Sequence, residues 1–227
     1  MKLPRINTVT NHVRCLGGLV VASAMMLLLQ SASAQTITLE SWENTLDGWT
    51  VPQGAGYFTS AFSTKLGVTD GTYSLALQNA GAGGPNYGQM LLSSYVPAWT
   101  AALGSSSNLM LDVYTPPGSF GYYLQFDIDI NNADTGFQSL DGYSYPSTVI
   151  GVETTITVPI SPTLQAELLA STNATQIAIQ IGGGYTGGND TMYLDNLRVN
   201  GVPEPSTVAL LGLGLVGLLG VMRRRAS

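Results

Sequence analysis

The feature that most limits how this chain can fold is an alternation of apolar and polar residues with a period of two. It is clearest over residues 122–130, where alternate positions hold Tyr122, Leu124, Phe126, Ile128 and Ile130, and the positions between them hold Tyr123, Gln125, Asp127 and Asp129. Successive side chains of a strand point to opposite faces of a sheet, so this pattern predicts a strand with one buried and one polar face. Residues 109–114 repeat the pattern, with Leu109, Leu111 and Val113 between Met110, Asp112 and Tyr114.

The segment 35–201 is predicted to form one all-β domain, a β-sandwich. Its 167 residues are enough for one core and too few for two ordinary domains. The remaining predicted strands cover residues 73–78, 152–158, 175–181 and 191–199. The glycine-rich segments 79–88 and 182–188 are predicted to be surface loops.

Only two short helices are predicted. One covers residues 97–103 and the other covers Pro162–Ala170. Ser161 is the expected N-cap of the second helix, because proline follows it at the first helical position.

Residues 1–34 have the composition of a secretory signal peptide. A basic start precedes an apolar stretch over residues 16–29, and small residues follow it, with Ala32 and Ala34 at the positions that signal peptidase reads. We expect cleavage after Ala34. The implied partners are the export machinery and signal peptidase.

The other end of the chain, residues 202–227, has the composition of a membrane anchor. Residues 207–222 are uncharged and mostly apolar. As a helix they would measure about 24 Å, slightly less than a hydrocarbon core of roughly 30 Å. Three arginines follow, and basic residues at the end of a membrane helix stay on the cytoplasmic side. This pattern predicts a transmembrane helix that holds the domain outside the inner membrane.

This tail resembles the PEP-CTERM sorting signal of Gram-negative bacteria. The resemblance covers residues 202–225 and rests on Pro203, Glu204 and Pro205, on the apolar segment, and on Arg223, Arg224 and Arg225. It implies recognition by an exosortase that removes the tail. It also implies a protein of a Gram-negative envelope or extracellular-polysaccharide system, which passes through an inner-membrane intermediate to the outer envelope, the cell surface or the extracellular matrix.

Charge excludes several functions for the middle of the chain. Lys65 and Arg198 are the only bases between residues 35 and 202, against thirteen acids, and the single histidine and single cysteine lie in the first fifteen residues. The segment therefore has no Ser-His-Asp triad, no cysteine nucleophile, no zinc site built on histidine or cysteine and no internal disulfide. Nucleic acid is an unfavourable partner because its binding depends on bases that neutralise phosphates. Hard cations and neutral polar ligands remain open.

Three short motifs resemble the jelly-roll domains related to carbohydrate-binding modules. They are Leu-Glu-Ser and Leu-Asp-Gly-Trp within residues 39–49, Asp-Gly-Thr-Tyr-Ser-Leu at 70–75, and Tyr-Leu-Asp-Asn-Leu-Arg-Val at 193–199. The resemblance implies a single jelly-roll β-sandwich with a structural Ca²⁺ ion. Oxygen ligands suit this ion. The residues implied for it are Glu40, Asp70, Gly71, Ser74 and Asp195.

The polar faces of the two alternating strands contain the residue types that bind sugars. Aromatic rings stack on the apolar face of a pyranose, while amides and carboxylates bond its hydroxyls. If the two strands meet in one concave sheet, these residues form a candidate ligand face: Tyr114, Tyr123, Gln125, Asp127 and Asp129, together with Asp112.

The primary prediction is an exported, non-catalytic protein of the envelope or extracellular matrix. The alternative is a module that binds carbohydrate, such as an exopolysaccharide. A glycoside-active enzyme is the third, because Asp127 and Asp129 are about 7 Å apart along their strand, a distance conceivable for an acid pair. Neighbouring carboxylates on an exposed strand are nevertheless usually only solvated, which argues against the enzyme.

Overall fold

The computed structural model describes residues 36–51, 58–79, 89–140, 148–185 and 191–201. Gln35–Val202 forms one compact unit. The predicted signal peptide with Ala32 and Ala34, and the predicted membrane helix with its proline and arginine motifs, lie outside the described residues. Within the described ranges, no helix is both long and apolar enough to cross a membrane.

Ten strands and two helices make up the described part of the chain. The strands are β1 Thr36–Glu40, β2 Phe58–Ser63, β3 Ser74–Asn79, β4 Gln89–Leu92, β5 Ser106–Tyr114, β6 Phe120–Asn132, β7 Gly136–Ser139, β8 Glu153–Pro159, β9 Thr175–Tyr185 and β10 Thr191–Gly201. The helices are α1 Pro97–Gly104 and α2 Pro162–Ala170.

The strands form two antiparallel sheets. The six-stranded sheet has the order β2-β3-β10-β5-β8, with β1 also paired to β10. The four-stranded sheet has the order β4-β9-β6-β7. Together they form the jelly-roll β-sandwich that the sequence predicts.

One hydrophobic core holds the two sheets together. Phe126 and Ile128 of β6 and Leu109 and Leu111 of β5 are all completely buried. Complete burial of an aliphatic or aromatic side chain of this size contributes about 1.5–3 kcal/mol. Both alternating segments are therefore strands with their apolar face in the core, as predicted. The carboxylates of their polar faces, Asp112, Asp127 and Asp129, are buried as well, so these faces are not simply solvated.

The helices also follow their predicted bounds. Pro162 starts α2, and the Ser161 hydroxyl accepts a hydrogen bond from the Leu164 N–H at 3.2 Å. Leu164 and Leu168 face the core. Helix α1 has no side-chain cap but buries Trp99, so packing stabilises it more than capping.

The condition set for the candidate ligand face is not met, and one loop prediction is partly wrong. β5 belongs to the six-stranded sheet and β6 to the four-stranded sheet, so they do not share a concave sheet. Their apolar faces pack on the same core, and their polar faces therefore point to opposite outsides of the sandwich. The predicted loop at 182–188 is also partly strand, because β9 continues to Tyr185 and Gly182 pairs with Gln125 of β6. The pairing of the β9 glycines with β6 depends on backbone hydrogen bonds, which do not need a side chain.

Candidate functional site

The outer face of the four-stranded sheet collects polar residues from three neighbouring strands. Residues directly opposite each other in an antiparallel pair lie on the same face. β6 pairs Asp127 with Gln180 and Asn131 with Gln176 of β9, and it pairs Asp129 with Ser139 and Asn131 with Phe137 of β7. The outer face is thus defined by Gln125, Asp127, Asp129, Asn131, Phe137, Ser139, Gln176, Ala178 and Gln180.

The two carboxylates of this face are enclosed. Asp129 is 0% exposed and Asp127 is 6% exposed. The Ser139 hydroxyl donates a hydrogen bond to Asp127 Oδ1 at 2.8 Å, and Gln180 Nε2 donates to Asp129 Oδ2 at 2.6 Å. The structure therefore brings together the predicted Asp127 and Asp129 and uses them to orient a hydroxyl and an amide.

The amides around the carboxylates are half-buried and reach solvent. They are Gln125, Asn131, Gln176 and Gln180. Gln176 Nε2 donates to the Ser93 carbonyl at 2.8 Å, which fixes its orientation over β9. Fixed amides present hydrogen-bonding groups in set directions, which is the property that a site for a polar neutral ligand requires.

Two aromatic residues that sequence reasoning missed lie at one end of the same face. Tyr95 and Phe137 are each 51% exposed. Asn131 Nδ2 donates to the Tyr95 hydroxyl at 2.7 Å, and Phe137 lies directly opposite Asn131 in the sheet. Tyr95 lies in a connection and Phe137 in a four-residue strand, so neither belongs to an alternating pattern long enough to reveal its face.

Tyr123 belongs to β6, but its side chain lies outside the described part of the structure. Whether its ring joins the ligand face therefore stays a prediction.

Tyr114 and Asp112 lie on the opposite side of the sandwich, as part of the outer face of the six-stranded sheet. The Tyr114 ring contacts the Tyr193 ring at a centroid distance of 6.1 Å. Tyr114 is therefore separated from Gln125, Asp127 and Asp129, with which the sequence grouped it.

Asp112 is the centre of a hydrogen-bond network. Its Oδ2 accepts from Arg198 Nη1 at 2.8 Å, the Thr69 hydroxyl at 2.8 Å and Asn196 Nδ2 at 3.1 Å. Its Oδ1 accepts from the Thr155 hydroxyl at 2.6 Å. The side chains of Asp112 and Arg198 are only 9% and 16% exposed. Their ion pair joins β5 and β10, and the bonds from Thr155 and Thr69 add β8 and a loop to the network.

The predicted calcium residues fall into two groups. Asp195 is completely buried, and its Oδ2 accepts from the backbone N–H groups of Thr69 at 2.6 Å and Asp70 at 2.8 Å. Burial raises the pKa of Asp195 against the lowering effect of these bonds. The predicted proximity of Asp195 to the turn that holds Asp70 is therefore present.

Glu40 belongs to the opening segment. Its Oε1 accepts from the N–H of Trp42 at 2.8 Å and of Ser41 at 3.0 Å, and its Oε2 accepts from Trp49 Nε1 at 3.3 Å. Burial raises the pKa of this carboxyl as well. These bonds hold the segment in which Trp42 and Trp49 enter the core.

Gly71 lies beside Glu43, a residue that sequence reasoning missed, whereas Ser74 bonds a different partner. Gly71 has φ +67°, and a Cβ there would overlap the Glu43 carboxylate. Glu43 accepts from the Thr72 N–H at 3.0 Å, while the Ser74 hydroxyl donates to the Leu66 carbonyl at 2.6 Å. Among the described residues, no three histidine, cysteine, aspartate or glutamate side chains converge as a metal site would require.

Comparison with known proteins identifies the tail. Residues 201–225 match the PEP-CTERM protein-sorting motif. The chain therefore carries a signal that implies an exported protein recognised by an exosortase. No curated protein is significantly similar to the chain in sequence.

Solved carbohydrate-binding modules are similar to the chain in fold. The module CBM27-1 of Caldicellulosiruptor saccharolyticus, solved in complex with mannohexaose, is 15% identical with a TM-score of 0.50, over 76% of this chain and 99% of that module. A family 11 module of a Clostridium thermocellum cellulase is 13% identical with a TM-score of 0.45, over 75% of this chain and 96% of the module.

A further structure represents carbohydrate-binding modules of the beta-sandwich super family. It is 17% identical with a TM-score of 0.48, over 75% of this chain. The aligned part spans 64% of that protein, slightly less than two thirds of its length. At 15% identity, the likeness to the module solved with mannohexaose shows a shared β-sandwich fold alone.

Proposed function

We propose that this protein is an exported, non-catalytic component of the bacterial envelope or extracellular matrix that binds polysaccharide. The observation that carries the proposal is the set of oriented amides on the outer face of the four-stranded sheet. Gln180 is held by Asp129 at 2.6 Å and Gln176 by the Ser93 carbonyl at 2.8 Å. The fold shared with carbohydrate-binding modules and the sorting motif both support this function.

The chemistry of this face suits sugar hydroxyls. Each hydroxyl donates one hydrogen bond and accepts others, and amides offer both kinds of group. Asp127 and Asp129 act as positioning residues, because their carboxylates are almost enclosed. Asp127 orients the Ser139 hydroxyl, and Asp129 orients the Gln180 amide, which is partly exposed to solvent.

The same burial argues for a non-catalytic protein. A general acid or nucleophile must come within hydrogen-bond reach of the bond that it cleaves. Asp129 is 0% exposed, and Asp127 is 6% exposed and bonded to Ser139. The spacing of the two acids along the strand is thus explained by their role in orienting side chains.

The proposed destination is the surface or matrix of a Gram-negative cell. The PEP-CTERM motif at residues 201–225 supports sorting by exosortase after export. A polysaccharide-binding domain delivered there would attach to the polymers that surround the cell.

Binding of the purified protein to a glycan array tests this function. We expect saturable binding to at least one polysaccharide, and Gln180→Ala should remove it. Gln78→Ala is the matched control, because Gln78 is an exposed glutamine of β3 in the other sheet. The proposal fails if wild type binds no glycan, or if the two variants lose binding equally.

We also propose a structural calcium ion beside Asp195 and the turn at residues 70–74. Burial raises the pKa of Asp195 and so disfavours its charged form. A bound cation would offset that penalty, and carboxylate and backbone oxygens suit calcium.

Thermal unfolding with and without calcium tests this second proposal. An ion that binds only the folded state raises stability by about 2.7 kcal/mol at a hundredfold excess over Kd. Asp195→Asn should reduce this gain. An identical melting temperature for metal-stripped and calcium-loaded protein would refute it.

A further inference from the structure

Tyr95, Asn131 and Phe137 form a continuous row at one end of the outer face of the four-stranded sheet. The Tyr95 hydroxyl accepts from Asn131 Nδ2 at 2.7 Å, and Phe137 is the cross-strand neighbour of Asn131. Directly opposed residues have Cβ atoms about 4.5–5.5 Å apart. The amide therefore lies between two aromatic side chains.

The side chains of Tyr95 and Phe137 are both half exposed. The alternating strand pattern does not require an aromatic residue at either position. Single exposed apolar residues are ordinary on protein surfaces. Here two rings with 51% exposure flank one amide, on the face that also holds the oriented glutamines. Large rings that keep one face in solvent offer contact area at little cost in conformational entropy.

The row extends the face beyond the central carboxylates. Asn131 is four residues from Asp127 on the same strand, which corresponds to about 13 Å. This distance exceeds the length of one sugar ring. Only a chain of linked sugars could therefore contact both the Asn131 end and the Asp127 region of the face. The tyrosine–asparagine–phenylalanine row would then bind one ring while the glutamines bind another.

Charge narrows the class of sugar. Asp127 and Asp129 lie on this face, and Lys65 and Arg198 are the only bases between residues 35 and 202. Arg198 bonds Asp112 in the six-stranded sheet, and Lys65 lies two residues beyond the end of β2, a strand of that same sheet. A polysaccharide with carboxylate groups would meet like charge without a compensating base, and like charges oppose binding.

We propose that Tyr95 and Phe137 form an aromatic subsite that stacks a pyranose ring, with Asn131 bonding its hydroxyls, and that the full face selects neutral over acidic polysaccharides. This inference rests on the proposed function and adds the subsite and the class of ligand.

Isothermal titration calorimetry on the full chain in detergent micelles tests it. The probes are mannohexaose, xylohexaose and cellohexaose as neutral chains, and a galacturonic acid hexamer as the acidic chain. We expect a neutral chain to bind, and Tyr95→Ala and Phe137→Ala each to weaken it about tenfold, which corresponds to about 1.4 kcal/mol. Tyr95→Phe should retain most of the affinity because it keeps the ring.

Tyr114→Ala is the matched control, since it removes a ring from the other sheet. Unchanged affinity in Tyr95→Ala and Phe137→Ala, while Gln180→Ala abolishes binding, would overturn the subsite and leave the proposed function standing. Binding of the acidic hexamer as tightly as the neutral chains would overturn the charge selection. If no glycan binds wild type, the subsite and the proposed function both fail.

Discussion

Two phenylalanines on opposite faces of the four-stranded sheet allow a matched test of the face assignment. Phe126 of β6 is 0% exposed and lies in the core, whereas Phe137 of β7 is 51% exposed. Replacing each by alanine removes the same atoms. Only their surroundings differ.

The expected costs follow from burial. Phe126→Ala removes a completely buried ring and leaves a cavity, which costs about 3–5 kcal/mol of unfolding free energy. Phe137→Ala removes a surface ring, so its effect should stay within about 0.5 kcal/mol. For a domain of this length, 1 kcal/mol shifts the melting temperature by about 2–4 °C, so Phe126→Ala should lower it by about 6–20 °C.

Thermal and urea unfolding, followed by circular dichroism, measure both variants under the same conditions. Phe126→Ala should unfold much earlier with unchanged glycan affinity per folded molecule, while Phe137→Ala should unfold like wild type and bind glycan more weakly. Similar stability losses in the two variants would refute the assignment of faces on which the site depends.

Three further outcomes are expected. Asp112→Ala should cost about 3–5 kcal/mol in urea unfolding, because it leaves a mostly buried guanidinium without its carboxylate, and should not alter glycan binding. Hydrogen bonds from Ser171 and then Asn173 lower the pKa of Asp134 below 3.8. The stabilisation from these bonds is therefore complete above pH 3.8 and is lost as pH falls through the lowered pKa. An NMR titration of the Asp134 carboxyl should give a pKa below 3.8 in the wild type and a higher pKa in Ser171→Ala. A wild-type pKa at or above 3.8 would contradict this prediction. Neutral residues at 223–225 should change the mass or location of the mature protein in fractionated cells, and an unchanged distribution would count against sorting through these arginines.

The alternating segments predicted the strands and their faces well. Phe126 and Leu111 lie on the core side of their strands and Asp127 and Asp112 on the other side, because the period of two depends only on local geometry. The N-cap at Ser161 was predictable for the same reason, since its partner Leu164 is three residues away.

The site depended on pairings that local pattern does not contain. β5 pairs with β8 and β10, and β6 with β7 and β9, so the separation of Tyr114 from Asp127 follows from long-range topology. The glycines of β9 were mistaken for a loop because their strand conformation comes from pairing with β6. Tyr95 reaches Asn131 across 36 residues of sequence, which no periodicity records.

Chemical-shift mapping by NMR during titration with a neutral glycan tests the central claim most directly. We expect the largest changes at the side-chain amides of Gln125, Asn131, Gln176 and Gln180, which share the outer face of the four-stranded sheet. The amide of Gln78 in the other sheet should not move. Changes centred on the outer face of the six-stranded sheet, or no changes at saturating glycan, would contradict the account.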